Sequence, residues 1–153
     1  MKLDIGAGPT AEDGWRSWDI KDGGDARRID LPDGSVDEIR ACHVLEHLGL
    51  ADTLPTLKEW HRVLRSGGRL YVAVPDFERI ATAFLARFPD LNLERYVVGG
   101  QTDEHDYHRT IWWSGKLDAA LKLAGFERVA EVGAEGPNTS RHYISLNMEA
   151  FKP

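Results

Sequence analysis

Short β-rich runs alternate with helical patterns along this chain, and that alternation restricts the fold more than any other feature. Lys2 to Ile5, Trp15 to Asp19, Ala26 to Ile29, Val36 to Cys42 and Arg69 to Val74 read as strands, followed by Arg128 to Val132 and Tyr143 to Phe151. Helical patterns span Thr53 to Leu64, Phe77 to Phe88 and Ser114 to Ala124. In the last of these Leu117, Leu121 and Ala124 share one face, Ser114 is placed to cap the start, and Gly125 stops it. Strands separated by helices require a mostly parallel sheet covered by helices, an α/β fold of three layers; the final two strands read as a closing antiparallel pair. Ligands in such sheets bind beyond the C-terminal ends of the strands.

The connections are uneven. Only Gly6 to Gly14 separates the first two strands and only Ile20 to Asp25 the next two, so two crossover helices are reduced to loops. Residues 89–113 are instead long, polar and aromatic without clear periodicity, as in a lid or substrate loop. At 153 residues and 42% hydrophobic content the chain fits one domain, 1–153, with one core. A net charge of −6, with basic residues scattered among acids, disfavours nucleic acid as the main partner. One cysteine excludes a disulfide framework, and no apolar run has the length of a membrane span. A cytoplasmic protein without a membrane partner is the expectation.

The turn "LDIGAGPT" formally satisfies the dinucleotide fingerprint through Gly6, Gly8 and Ala11. Pro9 has no N–H for a phosphate, however, and too few residues follow for the helix that would receive a pyrophosphate. A nucleoside approaching the backbone closely at Gly6 and Gly8 fits better. Asp19, at the end of the second strand, could accept from both ribose hydroxyls. A third strand over Ala26 to Ile29 would bring Asp30 to an adenine amino group and Leu31 onto the ring. Asp25 is the less favoured alternative, because it falls at that strand's start. Each of these carboxylates read alone is more readily a solvated turn residue; their shared placement at successive strand ends is what favours a ligand.

Taken in series, "LDIGAGPT", "GWRSWDI", "LPDGSVDEIRACHVLEHL" and "EWHRVLRSGGRLYVAVPDF" resemble class I S-adenosylmethionine-dependent methyltransferases, in particular a compact bacterial and phage group. The resemblance covers Met1 to Phe77 and, more loosely, Gly99 to Phe126. It implies a reduced Rossmann-like methyltransferase fold with S-adenosyl-L-methionine as cofactor. It also implies that Asp4, Gly6 and Gly8, with Ala7, border the methionine part, that Asp19 and Ile20 meet the ribose, and that Cys42 and His43 lie beside the cofactor. The missing helices and the absence of an N-terminal extension predict cover from residues 89–113 or from a second copy of the chain, hence possible self-association.

Methyl transfer depends mainly on positioning, and a base is needed only for a poorly acidic hydroxyl or a protonated amine. His108 in "DEHDYHRTIWW" is the first choice for that base, with His43 second; Trp112 and Trp113 could supply a flat substrate surface, whereas Trp18 and Trp60 read as core. A small-molecule or glycan-type acceptor suits the acidity. Two other readings remain: a module that binds the nucleoside without turnover, and a zinc hydrolase through the H-x-x-E-H motif of His43, Glu46 and His47. The zinc reading requires His43 to lie in a helix, where the sequence places a strand end. A metal held by His105, Asp106 and His108 would need a special turn. No metal is expected.

Overall fold

The computed structural model describes residues 1–8, 13–134 and 140–153; Pro9 and Ala11, used above to weigh the glycine turn, lie outside them. Strand β1 (Lys2–Ile5) sits between β2 (Trp15–Trp18) and β3 (Val36–Cys42), and β3 pairs with β4 (Leu64–Pro75), all in parallel. Strand β6 (Ser145–Phe151) runs antiparallel between β4 and β5 (Glu127–Glu131), so the order is β2-β1-β3-β4-β6-β5. This is the mostly parallel α/β sheet with a closing antiparallel pair that the alternation requires. No helix among the described residues is long and apolar enough to cross a membrane.

Strand alternation divides the sheet's two faces. Leu3, Ile5, Ile39, Ala41, Leu70 and Val72 are buried together against helices α1 (Leu50–Val63) and α4 (Ser114–Leu123), which also touch each other. On the opposite face the register partners Lys2 and Glu38 form an ion pair, as do Asp4 and Arg40, and Lys2 and Arg40 lie over the Trp15 ring. That polar face is the counterpart of the two shortened connections.

Four expectations need correction. No strand forms over Ala26 to Ile29. The Asp25 carboxylate accepts from the Arg27 N–H at 2.8 Å, the Arg28 N–H closes a turn on the Asp25 carbonyl, and the Ile29 N–H goes to Glu59 Oε1. From α1, Trp60 Nε1 donates to the Ala26 carbonyl and the Arg62 guanidinium to the carbonyls of Ile29 and Leu31. The segment's polar backbone is thus satisfied by a turn and by a helix, which leaves it no ladder to join. Second, residues 89–113 contain a short helix, α3 (Leu93–Val98), which packs on α2 (Phe77–Leu85). Third, α4 has Trp113, in extended conformation, at its cap position, and the Ser114 side chain does not cap it. Fourth, Trp112 is buried in the core, its Nε1 donating to Thr110 Oγ1, while Trp18 is only partly buried. Trp60 is a core residue, as expected.

Candidate active site

A cleft of about 600 Å³ opens at the C-terminal ends of β1, β2 and β3. That size lies within the usual range for a small-molecule or cofactor site. The turn after β1 forms its floor. Gly6 adopts φ +68 and donates its N–H to the Trp18 carbonyl at 3.0 Å, fastening β1 to the end of β2. A Cβ on Gly6 would lie 2.6 Å from Val44 Cγ2, a residue that also lines the cleft. Glycine is therefore required both for the left-handed backbone and for the space.

Asp19 follows β2 and is buried, with its carboxylate held by two backbone donors. Gly8 N–H reaches Oδ2 and Lys21 N–H reaches Oδ1, each at 2.9 Å, so one side chain fixes the glycine turn and caps the 3-10 turn Ile20–Asp22. An ionised carboxylate offers about four lone-pair sites, and these two bonds leave capacity toward the cleft. Asp25 and Ala26 line the same wall. A forked hydrogen bond from Arg27 holds the Asp25 carboxyl below the ordinary carboxylate range. Asp30, in contrast, is exposed outside the lining, and Leu31 packs against the core. Losing the third strand removes the register that would have aimed them at the ligand. Ile20 lines the cleft and is partly exposed.

His43 stands where β3 ends, with φ 59, and faces the cleft. Its Nδ1 meets Glu46 Oε1 at 3.0 Å, and its Nε2 lies 3.0 Å from the hydroxyls of both Ser140 and Ser145. With the carboxylate accepting, Nδ1 carries the proton and Nε2 the lone pair. Neither serine lines the cleft, so this Glu–His–Ser array orients the ring. Asp4, in a two-pronged pair with Arg40, and Cys42 share the polar face of the sheet and do not line the cleft; neither do Ala7 and Gly8. Strand alternation carries the side chains of Asp4 and Cys42 away from the α1 and α4 side.

The facing wall comes from residues 89–113. Thr102 to Asp106 and Arg109 line the cleft. Their segment is fastened where Arg109 N–H and Thr110 N–H both donate to the Glu46 carbonyl, at 2.7 and 3.1 Å. Asp106 accepts from Thr102 Oγ1, which lowers its carboxyl pKa. His108 does not face the cleft. It lines a smaller neighbouring recess with Glu46 and Tyr96, gives Nδ1 to the Tyr96 carbonyl at 3.0 Å, and meets the His47 ring edge-on at 4.8 Å. Burial pushes its pKa down against the pull of Glu46, so the imidazole is neutral near pH 7.

The two metal readings of the sequence do not form. His43 turns to Glu46 and the serines rather than joining His47 on one helical face, because Leu45–His47 is a 3-10 turn that begins after it. His105 is exposed beside Glu104, Asp106 is bonded to Thr102, and His108 is turned toward Tyr96. Val44, His47, Asp52 and Arg109 line the cleft without having been singled out for it. The placement of His47 one turn beyond His43 was the one available signal.

Residues 17–72 match the methyltransferase domain family, a stretch running from β2 into β4. The sheet order and the cleft at its strand ends are those of the class I methyltransferase fold, and this match makes the chain similar to the methyltransferase domain family. Among curated proteins it is 38% identical over 104 residues to an uncharacterized 37.1 kDa protein in transposon TN4556 of Streptomyces fradiae. The matched stretch is 67% of this chain and 28% of that one, so the chain corresponds to little more than a quarter of that relative's length. Among solved structures, an S-adenosylmethionine-dependent methyltransferase from Thermotoga maritima superposes with a TM-score of 0.62 at 21% identity, covering 99% of this chain and 82% of that one. Human N-acetylserotonin methyltransferase, solved in complex with S-adenosylmethionine, gives 0.59 at 15% identity, covering 98% and 39%.

Proposed function

We propose that this chain binds S-adenosyl-L-methionine in the β1–β2–β3 cleft and transfers its methyl group to a small hydroxyl-bearing, glycan-type acceptor. The observation that carries the reading is the meeting of Gly6, Asp19 and Asp25 on one wall of the cleft, after the ends of β1 and β2 and in the turn that follows. Gly6 leaves open the ground a Cβ would fill, and Asp19 retains acceptor capacity for ribose hydroxyls. Asp25 and Ala26 stand where an adenine edge would lie. Six carboxylates line the cleft against three Lys or Arg side chains, an excess that favours a ligand with cationic sulfonium and amino groups over a phosphate. The cofactor supplies an electrophilic methyl group. This chain's residues hold and orient the partners and exclude water between the two walls. His43 Nε2 is held by Ser140 and Ser145 and its Nδ1 by Glu46, so the ring orients this wall of the cleft, and the acceptor's hydroxyl proton passes to solvent.

Calorimetry with S-adenosylhomocysteine, followed by a methyl-transfer screen over small hydroxylated and glycosidic acceptors, tests the reading. Nucleoside binding with turnover of at least one such acceptor is expected. Binding without turnover would leave a nucleoside-binding module, and absence of nucleoside binding would overturn the whole reading.

The adenine side makes a separate comparison. Asp25→Ala is expected to weaken S-adenosylhomocysteine binding about tenfold, the loss of one hydrogen bond to a charged group. Asp30→Ala should leave it unchanged. The reverse pattern would return the adenine to Asp30.

A further inference from the structure

Between the cleft and the smaller recess, three side chains from two distant parts of the sequence converge. Glu46 and His47 come from the 3-10 turn after β3, and His108 from the end of the facing wall. One ligand-capable atom from each lies within 4.8 Å of the others.

The free atoms of this cluster are unusual. Glu46 is 1% exposed, and its Oε2 has no hydrogen-bond partner; the buried Nδ1 of His47 has none either. A buried carboxylate oxygen and a buried ring nitrogen left unpaired side by side are costly. The remaining atoms are held in the manner expected around a metal. His108 commits Nδ1 to the Tyr96 carbonyl, which leaves the Nε2 lone pair available, and Glu46 commits Oε1 to His43, which leaves Oε2. Ligand histidines characteristically give their second nitrogen to a carbonyl, and ligand carboxylates are themselves hydrogen-bonded.

We propose that Glu46, His47 and His108 form a binding site for a divalent transition-metal ion of the zinc class, beside the cleft and independent of the methyl-transfer reading. Two imidazoles and one carboxylate suit such an ion and do not suit magnesium, which prefers oxygen ligands. At metal–ligand distances near 2.1 Å, tetrahedral ligands lie about 3.4 Å apart, so side-chain rotation closing the 4.8 Å cluster by about 1.4 Å brings the three ligands into place. Three protein ligands leave a fourth position open.

The test is Zn2+ titration of the chelator-treated protein by calorimetry, with metal content after dialysis and Co2+ absorption as a second signal of imidazole ligation. One equivalent of Zn2+ and little response to Mg2+ are expected. Glu46→Gln and His108→Gln should each weaken Zn2+ binding roughly tenfold or more, and His105→Ala on the exposed loop should leave it intact. Zn2+ should raise the unfolding temperature of the parent protein and not of the two ligand variants. Should Glu46→Gln fail to fold, His47→Gln takes its place in the series. Absence of stoichiometric Zn2+ uptake, or equal uptake by the parent and ligand variants, would overturn the site, whatever the outcome for nucleoside binding.

Discussion

If Asp19 holds the ribose as proposed, replacing it with Ala is expected to lower affinity for S-adenosylhomocysteine by about 10²- to 10⁴-fold, the largest loss expected of any single substitution in the cleft. Two contributions add. Each hydrogen bond between a carboxylate and a ribose hydroxyl contributes about 1.5–3 kcal/mol, and two are lost together. The same carboxylate also holds Gly8 N–H and Lys21 N–H, so its removal loosens the turn that forms the floor and the cap of the 3-10 turn beside it. Asp19→Asn does not separate these contributions. An amide offers one oxygen where the carboxylate offers two, so one backbone N–H faces an NH2 donor and the turn is disturbed even though the volume is kept. Calorimetry at matched folded fraction, fixed by thermal unfolding, gives the binding loss alone. An affinity for Asp19→Ala within a few-fold of the parent would refute the ribose role.

The path from β1 to the glycine turn and Asp19 was legible in the sequence because each step is local: strand alternation, a glycine at positive φ, and a carboxylate at a strand end. The mostly parallel sheet with its closing antiparallel pair follows from the same alternation, though not the order of its strands. What was not legible depended on long-range partners. Ala26 to Ile29 has a strand-like composition, yet Glu59, Trp60 and Arg62, about thirty residues later, take up its polar groups. The available local signal was Asp25, whose side chain can bond the N–H two residues on and start a turn. His108 was recognised as chemically capable, but its direction was set by Tyr96 and by His47, sixty-one positions away. Trp112 could not be assigned to the core from a polar neighbourhood, because the contacts that bury it come from elsewhere in the chain. The same limit applied to Glu46. In the sequence it stands out only as the glutamate of the H-x-x-E-H motif; folding shows that it holds His43 and that its carboxylate lies within 4.8 Å of a ring nitrogen of His47 and of His108.

Among the glycines that line the cleft, Gly6→Ala is expected to be the most damaging single-methyl change. The new Cβ would sit 2.6 Å from Val44 Cγ2, inside contact distance, and the residue would have to keep φ +68. Overpacking costs about 1–3 kcal/mol and a left-handed backbone for a non-glycine residue about 1–2 kcal/mol. Together these lower unfolding stability by about 2–5 kcal/mol. The clash can relax only by pushing Val44 outward, and Val44 lies beside His43 in the cleft lining, so the distortion passes into the site. Adding Val44→Ala separates the two causes. The double variant should recover the steric share, while the backbone share persists because no change at position 44 alters the φ demanded of residue 6. Denaturant unfolding of the parent, the two single variants and the double variant gives the coupling directly. A positive coupling between positions 6 and 44 is expected, with incomplete rescue. A fully additive cycle would show that the Gly6–Val44 contact is not what keeps a side chain out of the turn.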